Sequence, residues 1–218
     1  MSKELLNRFL TSIILLPILF YITVHSGINL ILLLILFYFL SIYEVIKNTR
    51  NKLFIFFASI LLFFSFYSFY FLRGNTEFSL IILCWILSST FLSDIGGYIF
   101  GKIFKGKKLT KISPNKTYSG AIGSIILSSL SLPLMNLLQV YFFNKFLINF
   151  FAVHFFILTI LISFVCQGGD LFVSFLKRKI KIKNISNFLP GHGGILDRID
   201  GLIFVLIFCS ILKLLLLI

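Results

Sequence analysis

The chain has four aspartates, Asp94, Asp170, Asp197 and Asp200, and each stands inside or at the end of a long apolar run. A carboxylate beside hydrocarbon is costly, so its default reading is functional, with a cation as partner. An ion pair locking two helices would explain one such residue. Four of them, in a chain with only seven acidic residues, argue for a shared site. Asp170, Ser174, Lys177 and Arg178 fall at i, i+4, i+7 and i+8, one stripe of a helix that runs from a carboxylate to two cations. Asp197 and Asp200 share a face if the last helix begins near residue 196, and there they would repel each other without a counter-ion. Asp170, Asp197 and Asp200 are therefore expected to ligate a hard divalent cation. Mg2+ is favoured, with a second cation conceivable, because it takes oxygen ligands and is commonly shared with substrate phosphates.

Complementary chemistry sits upstream in "SDIGGYIFGKIFKGKKLTKISPNKTYSG", residues 93–120, which includes Asp94 and holds six lysines. Lys116 and Thr117 directly precede an apolar segment, where a helix N-terminus would offer free N–H groups to an anion. The stretch suits a polyphosphate, although it lacks the GxxxxGK[ST] spacing of a P-loop. Gly97 and Gly101 form GxxxG, which marks close helix packing more often than a ligand. His192 is a candidate site residue, flanked by Gly191, Gly193 and Gly194, where the backbone can turn tightly or approach a ligand. His25 and His154 lack such company and read as structural. Glu44 reads as an interface anchor, and Cys84, Cys166 and Cys209 read as small buried apolar residues.

These groups need a scaffold, and the composition says what kind. The 218 residues are 59% hydrophobic with a mean hydropathy of +1.05, more apolar surface than one soluble core can bury. Seven windows are long and apolar enough to span a bilayer: 9–25, 28–45, 53–72, 78–101, 118–138, 146–176 and 199–218. The first resembles a signal peptide but lacks a small-x-small cleavage site and reads as a retained helix. The expected fold is therefore all-α, a polytopic integral membrane protein of about seven transmembrane helices. Residues 1–92 would form a scaffold, and residues 93–218 the catalytic helices. A net charge of +13 would suggest nucleic acid in a soluble protein. Here the basic residues cluster at the ends of apolar runs, so membrane lipid is the expected partner and nucleic acid is not. With the N-terminus cytoplasmic, seventeen of the twenty Lys and Arg fall inside, leaving Arg73, Lys145 and Lys213 outside. That asymmetry puts both polar loops, 102–117 and 177–198, in the cytoplasm.

The two polar stretches together resemble the phosphatidate cytidylyltransferases (CDP-diacylglycerol synthases). The resemblance is carried by "SFLKRKIKIKNISNFLPGHGGILDRID", residues 174–200, with Ser174, Lys177, Arg178, Lys183, Pro190, His192, Gly193, Gly194, Asp197, Arg198 and Asp200 on characteristic positions. "SPNKTYSG" and "QGGDLFVSFLKR" look like two further family blocks, and residues 93–123 and 167–200 are covered closely. Asn184 departs from the family, which usually has Asp there; an amide adds no negative charge. The chain also looks shorter than most members.

This resemblance implies transfer of a cytidylyl group from CTP to phosphatidate in phospholipid biosynthesis, at the cytoplasmic face of the inner membrane. Asp170, Asp197, Asp200, Lys177 and Arg198 would be catalytic. Asp94, Lys116, Thr117, Ser174, Arg178, His192, Gly193 and Gly194 would bind substrate. A homodimer is implied by the family alone. A cation transporter would place acids deep within several spans, whereas these stay near one face. A CDP-alcohol phosphotransferase would carry DGxxAR…GxxxDxxxD, which is missing, and a purely structural subunit would leave the polar clusters unexplained.

Overall fold

The computed structural model describes residues 17–110, 113, 116–179, 194 and 196–218, excluding the side chains of Asp197 and Arg198. Among these the chain is helical: α1 (17–25), α2 (Gly27–Asn48), α3 (Lys52–Arg73), α4 (Glu77–Phe104), α5 (Tyr118–Ser129), α6 (Ser131–Phe143), α7 (Val153–Lys179) and α8 (Leu196–Leu214). Boundaries follow local chemistry. Asn51 caps α3 by accepting from the amides of Leu53 and Phe54, and Thr76 and Ser79 form a capping box at the start of α4.

Five segments are long and apolar enough to cross a membrane: α2, α3, α4, α5 with α6 (Tyr118–Phe143), and α7. The chain is an integral membrane protein, and the Phe, Leu and Ile side chains left exposed on these helices form a surface suited to lipid. Of the seven expected windows, 9–25 is described only from residue 17 onward, where it forms α1. The last window forms α8, which is not among the five because Asp197, Arg198, Asp200 and Lys213 lie on it.

Two other windows differ from expectation in detail. The 118–138 run divides at Leu130 into α5 and α6. Pro133 lacks the N–H that would bond the carbonyl of Ser129, the residue on which α5 ends. The 146–176 run becomes helical only at Val153, because residues before it fold back against α6. Gln139 accepts from the amides of Leu147 and Ile148 at 3.1 and 3.0 Å and donates to the Ile148 carbonyl at 2.6 Å. Asn136 accepts from the Phe150 amide at 3.1 Å, and Phe150 is then buried against Trp85 and Phe155. Both amide side chains thus supply hydrogen bonds that a helix would have made internally.

The core centres on α4, whose buried face meets α6, α7 and α8. Hydroxyl pairs tie these helices: Ser89 to Ser131 and Ser93 to Ser163, each at 2.8 Å, with the Trp85 indole donating to Thr159 at 3.2 Å. Between α4 and α5 the spacing is set by glycine. A Cβ on Gly96 would collide with the Gly123 carbonyl, and one on Gly120 would lie 2.7 Å from the Gly97 carbonyl. At the GxxxG positions a Cβ on Gly97 would lie 2.8 Å from Ser124 Oγ and one on Gly101 3.1 Å from Thr117 Oγ1, so both face α5 and its cap. At the other end of the bundle, two of the three cations assigned to the outside serve as helix staples. Arg73 donates to the carbonyls of Thr23 and Val24 where α1 ends, and Lys213 donates to the Phe71 carbonyl at 2.8 Å.

Candidate active site

The antiparallel neighbours α7 and α8 carry the central carboxylates, and the helix α8 begins at Leu196, as the Asp197–Asp200 spacing requires. Each described aspartate there adjoins a glycine that lets the helices close. A Cβ on Gly201 would lie 2.7 Å from Cys166 Sγ and 2.8 Å from Asp170 Oδ1. A Cβ on Gly169 would lie 2.6 Å from the ring of Phe204. The result is that Asp170 and Asp200, the latter next to Gly201, are brought together across the α7–α8 contact. Gly169 and Gly201 are close-approach positions that the expected site residues do not include. The signal was available, since a glycine beside each aspartate inside an apolar helix is a backbone-approach pattern.

Lysines close the cluster from two directions. Lys177, one face along from Asp170 on α7, is buried and places Nζ 3.2 Å from Asp200 Oδ2. Lys116 places Nζ 3.2 Å from Asp170 Oδ2 and 3.4 Å from the Gln167 carbonyl. The loop that carries Lys116 is held by an antiparallel bridge between Lys108 and Thr117, with the Leu109 amide on the Lys116 carbonyl at 2.8 Å. The helix α4 runs on through Phe104, so this loop starts at Lys105 and not at residue 102. Thr117 caps α5 by accepting from the Gly120 amide at 3.1 Å, which confirms the expected helix start directly after Lys116 and Thr117.

A polar cleft of about 240 Å³ opens beside this cluster, lined by Asp94, Gly97, Lys116, Thr117, Gln167 and Asp170 among others. Asp94 accepts a hydrogen bond from Cys166 Sγ at 3.2 Å, so this buried thiol does more than fill space. Gln167 is a cleft residue not foreseen from sequence; its amide donates to Ser163 Oγ at 3.2 Å. Ser174 is half-buried one turn beyond Asp170, while Arg178 is exposed on the last turn of α7. Gly194 is buried. His192, Gly193, Pro190, Lys183 and Asn184, with the side chains of Asp197 and Arg198, lie outside the described residues.

Glu44 is not the membrane-interface anchor it was expected to be. It is 1% exposed, and its Oε2 accepts from the Leu196 amide at 3.1 Å, at the first residue of α8. A carboxylate at a helix N-terminus satisfies a free N–H and complements the helix dipole. A residue of the expected scaffold thus fixes where the carboxylate-bearing helix starts.

Among the described residues no group of three His, Cys, Asp or Glu side chains is gathered for a metal. The two facing carboxylates still fit a hard cation, because oxygen donors brought together across a glycine contact suit Mg2+, which keeps open positions for phosphate oxygens. The cluster of Asp170, Asp200, Lys116 and Lys177 is formally neutral, and Asp94 adds one negative charge at the cleft wall.

Fold and site define the class: a polytopic helical membrane protein with a carboxylate–lysine cluster at the end of a polar cleft. The chain belongs to the Cytidylyltransferase family, which matches residues 8–216. It is similar to proteins named phosphatidate cytidylyltransferase. The one from Rickettsia felis is 40% identical over 129 residues, covering 55% of this chain and 54% of that protein. The one from Helicobacter pylori is 36% identical over 130 residues, covering 59% and 45%. The one from Staphylococcus saprophyticus is 43% identical over 122 residues, covering 56% and 44%. The chain matches about half the length of these curated relatives.

Proposed function

We propose that this protein is a phosphatidate cytidylyltransferase, converting CTP and phosphatidate into CDP-diacylglycerol and pyrophosphate. The observation that carries this reading is the pairing of Asp170 with Lys116 and of Asp200 with Lys177 where α7 meets α8, beside the polar cleft, in a chain of this family. A phosphate oxygen of phosphatidate attacks the α-phosphorus of CTP, a new P–O–P bond forms, and the bond to the β-phosphate breaks with its electron pair leaving on pyrophosphate. Both reactants are anions, so the protein must offset charge and hold the two phosphates in line.

Lys116 and the N-terminal turn of α5 face the polar cleft and suit the triphosphate. Lys177, on the other side of the carboxylates, suits the lipid phosphate, and Arg198 is proposed to share in offsetting charge. Phosphatidate is largely ionised near neutral pH and needs no strong general base, so His192 is assigned to binding. Asp170, Asp197 and Asp200 would hold Mg2+, with a second cation in reserve; when bound, it would neutralise charge on the reacting phosphates. The active site is proposed to face the cytoplasm from the inner membrane, with the N-terminus on the same side, which the asymmetry of Lys and Arg supports. A homodimer belongs to the same proposal and is checked by the mass of the detergent-purified protein.

The test is direct. Purified protein with radiolabelled CTP, phosphatidate and Mg2+ is expected to yield a lipid-soluble cytidine product, lost with EDTA and restored by Mg2+. Asp170→Asn is expected to lower turnover by at least about a hundredfold while the protein still inserts and purifies. Near-normal turnover in that variant would overturn the site assignment.

A further inference from the structure

The end of α4 carries cations that the proposed reaction leaves unused. Lys102, Lys105, Lys107 and Lys108 follow one another closely and are all exposed. No acidic residue occurs between Asp94 and Asp170, and none of the four lysines is in an ion pair among the described residues. The polar cleft does not draw on them, since Lys116 is the one cation on its described lining. Lys105 ends α4 at φ 42°, a left-handed conformation that glycine adopts without cost, so a lysine stands there against backbone preference. Apolar and aromatic side chains share the patch: Tyr98 is 69%, Ile103 66% and Phe104 64% exposed. The Lys102 ammonium lies 5.7 Å from the centre of the Tyr98 ring. With 28 residues, α4 is about 42 Å long at 1.5 Å per residue, against ~30 Å of hydrocarbon. The surplus suits a last turn set among headgroups, where tyrosine settles and lysine stems lie along apolar surface.

We propose that this patch docks the headgroups of anionic phospholipids that are not substrates, and that their binding firms one wall of the polar cleft. Charge complementarity selects the occupant: four unpaired lysines beside exposed aromatic and aliphatic side chains fit an anion that is itself anchored in a bilayer. A soluble anion would have no use for Ile103 and Phe104. The link to the cleft is backbone. The Tyr118 amide donates to the Lys107 carbonyl at 3.0 Å, and the Gly106 amide donates to Ser119 Oγ at 3.2 Å. Together with the Leu109–Lys116 hydrogen bond, these tie the lysine-bearing strand to the residues that present Lys116 and Thr117. Left without counter-ions, the neighbouring lysines repel one another and strain that tie. Anionic headgroups remove the repulsion and hold the hairpin closed.

Two measurements test this. Ile103→Trp places a reporter in the patch, and the signal of the buried Trp85, the chain's own tryptophan, is subtracted with the unaltered protein. The full-length reporter is reconstituted in phosphatidylcholine vesicles and quenched with brominated phosphatidylglycerol or brominated phosphatidylcholine. Phosphatidylglycerol is chosen because the proposed reaction does not consume it. It is expected to be preferred about tenfold, the worth of one or two lysines at a charged surface. The preference should vanish when Lys102, Lys105, Lys107 and Lys108 are all changed to Gln. It should also fade in about 1 M NaCl, where the Debye length is ~3 Å. Equal quenching by both lipids would leave the patch to a soluble anion and overturn the proposal. So would a preference that survives the four substitutions, or one that CTP abolishes. The second measurement is amide exchange on the unaltered protein. Exchange at Leu109 and Tyr118 is expected to slow several-fold when phosphatidylglycerol replaces part of the phosphatidylcholine. Unchanged exchange there would cut the link between the patch and the cleft. Neither readout involves turnover, so a wrong reaction and a wrong docking surface give different results.

Discussion

A methyl group added at Gly201 has nowhere to go, because one side is Cys166, including its backbone carbonyl at 3.0 Å, and the other is Asp170. The carbonyl cannot swing aside, so α7 and α8 must part by some tenths of an ångström. In-line phosphoryl chemistry is sensitive to such displacements, on the order of a hundredfold for an ångström. Gly201→Ala is therefore expected to cut turnover by about ten- to a hundredfold while the protein still inserts. Gly168, one residue before Gly169, has open space around it, and Gly168→Ala is expected to leave turnover unchanged. Equal effects in a lipid-product assay would show that the contact is not what matters.

The Lys177–Asp200 pair poses a different question at the same scale, whether it is there for stability or chemistry. Removing one partner of a largely buried pair strands the other charge, at a cost of about 3 kcal/mol. Lys177→Met is expected to lower the thermal midpoint in detergent. Adding Asp200→Asn should recover most of that midpoint but none of the activity. Recovery of both would make the pair a structural lock.

At the scale of elements, Glu44 links the first half of the chain to the site. Its hydrogen bond to the Leu196 amide pins the first turn of α8, and with it the register of Asp200. Glu44→Gln keeps an acceptor and is expected to retain at least about a third of wild-type turnover. Glu44→Ala removes the acceptor, and breaking a buried hydrogen bond to a charged group costs about 2 kcal/mol. The alanine variant should show faster amide exchange at the start of α8 and a larger loss of turnover. Equal exchange in both variants would detach Glu44 from this role.

The same element scale shows what could be read from the sequence. Apolar windows found α2, α3 and α4 closely, because a bilayer demands continuous hydrophobicity and the chain advertises it. Windows cannot see which side chains will take over backbone hydrogen bonding, so Asn136 and Gln139, which hold residues 147–150, went unread. Pro133 was visible, but a window average hides the one missing N–H that divides α5 from α6. Asp170, Asp200, Lys116 and Lys177 were legible because charge beside hydrocarbon is rare. Glu44 was not, because its partner is a backbone amide 152 residues away, which no spacing rule encodes.

For the whole molecule, the division of labour between its two ends is the property to test. One end gathers Asp94, Asp170, Asp200, Lys116 and Lys177, with the exposed lysines of the 105–110 loop beside them. The other end carries Arg73 and Lys213, whose charges are spent on helix carbonyls. An orientation drawn from Lys and Arg counts thus rests on cations of two kinds, and discounting the stapled pair leaves the asymmetry greater still. The expectation is that the loop at Lys105 lies in the cytoplasm and the turn at Asn144 outside it. Single cysteines at these two exposed positions would report it with a membrane-impermeant maleimide. Cys84, Cys166 and Cys209 are free but buried or half-buried, and would first be replaced by alanine or serine if they label. Intact spheroplasts should label Asn144→Cys and spare Lys105→Cys, and inverted vesicles should do the opposite. The reverse pattern would place the carboxylate cluster on the side away from cytoplasmic CTP, and the proposed reaction would then lack its nucleotide.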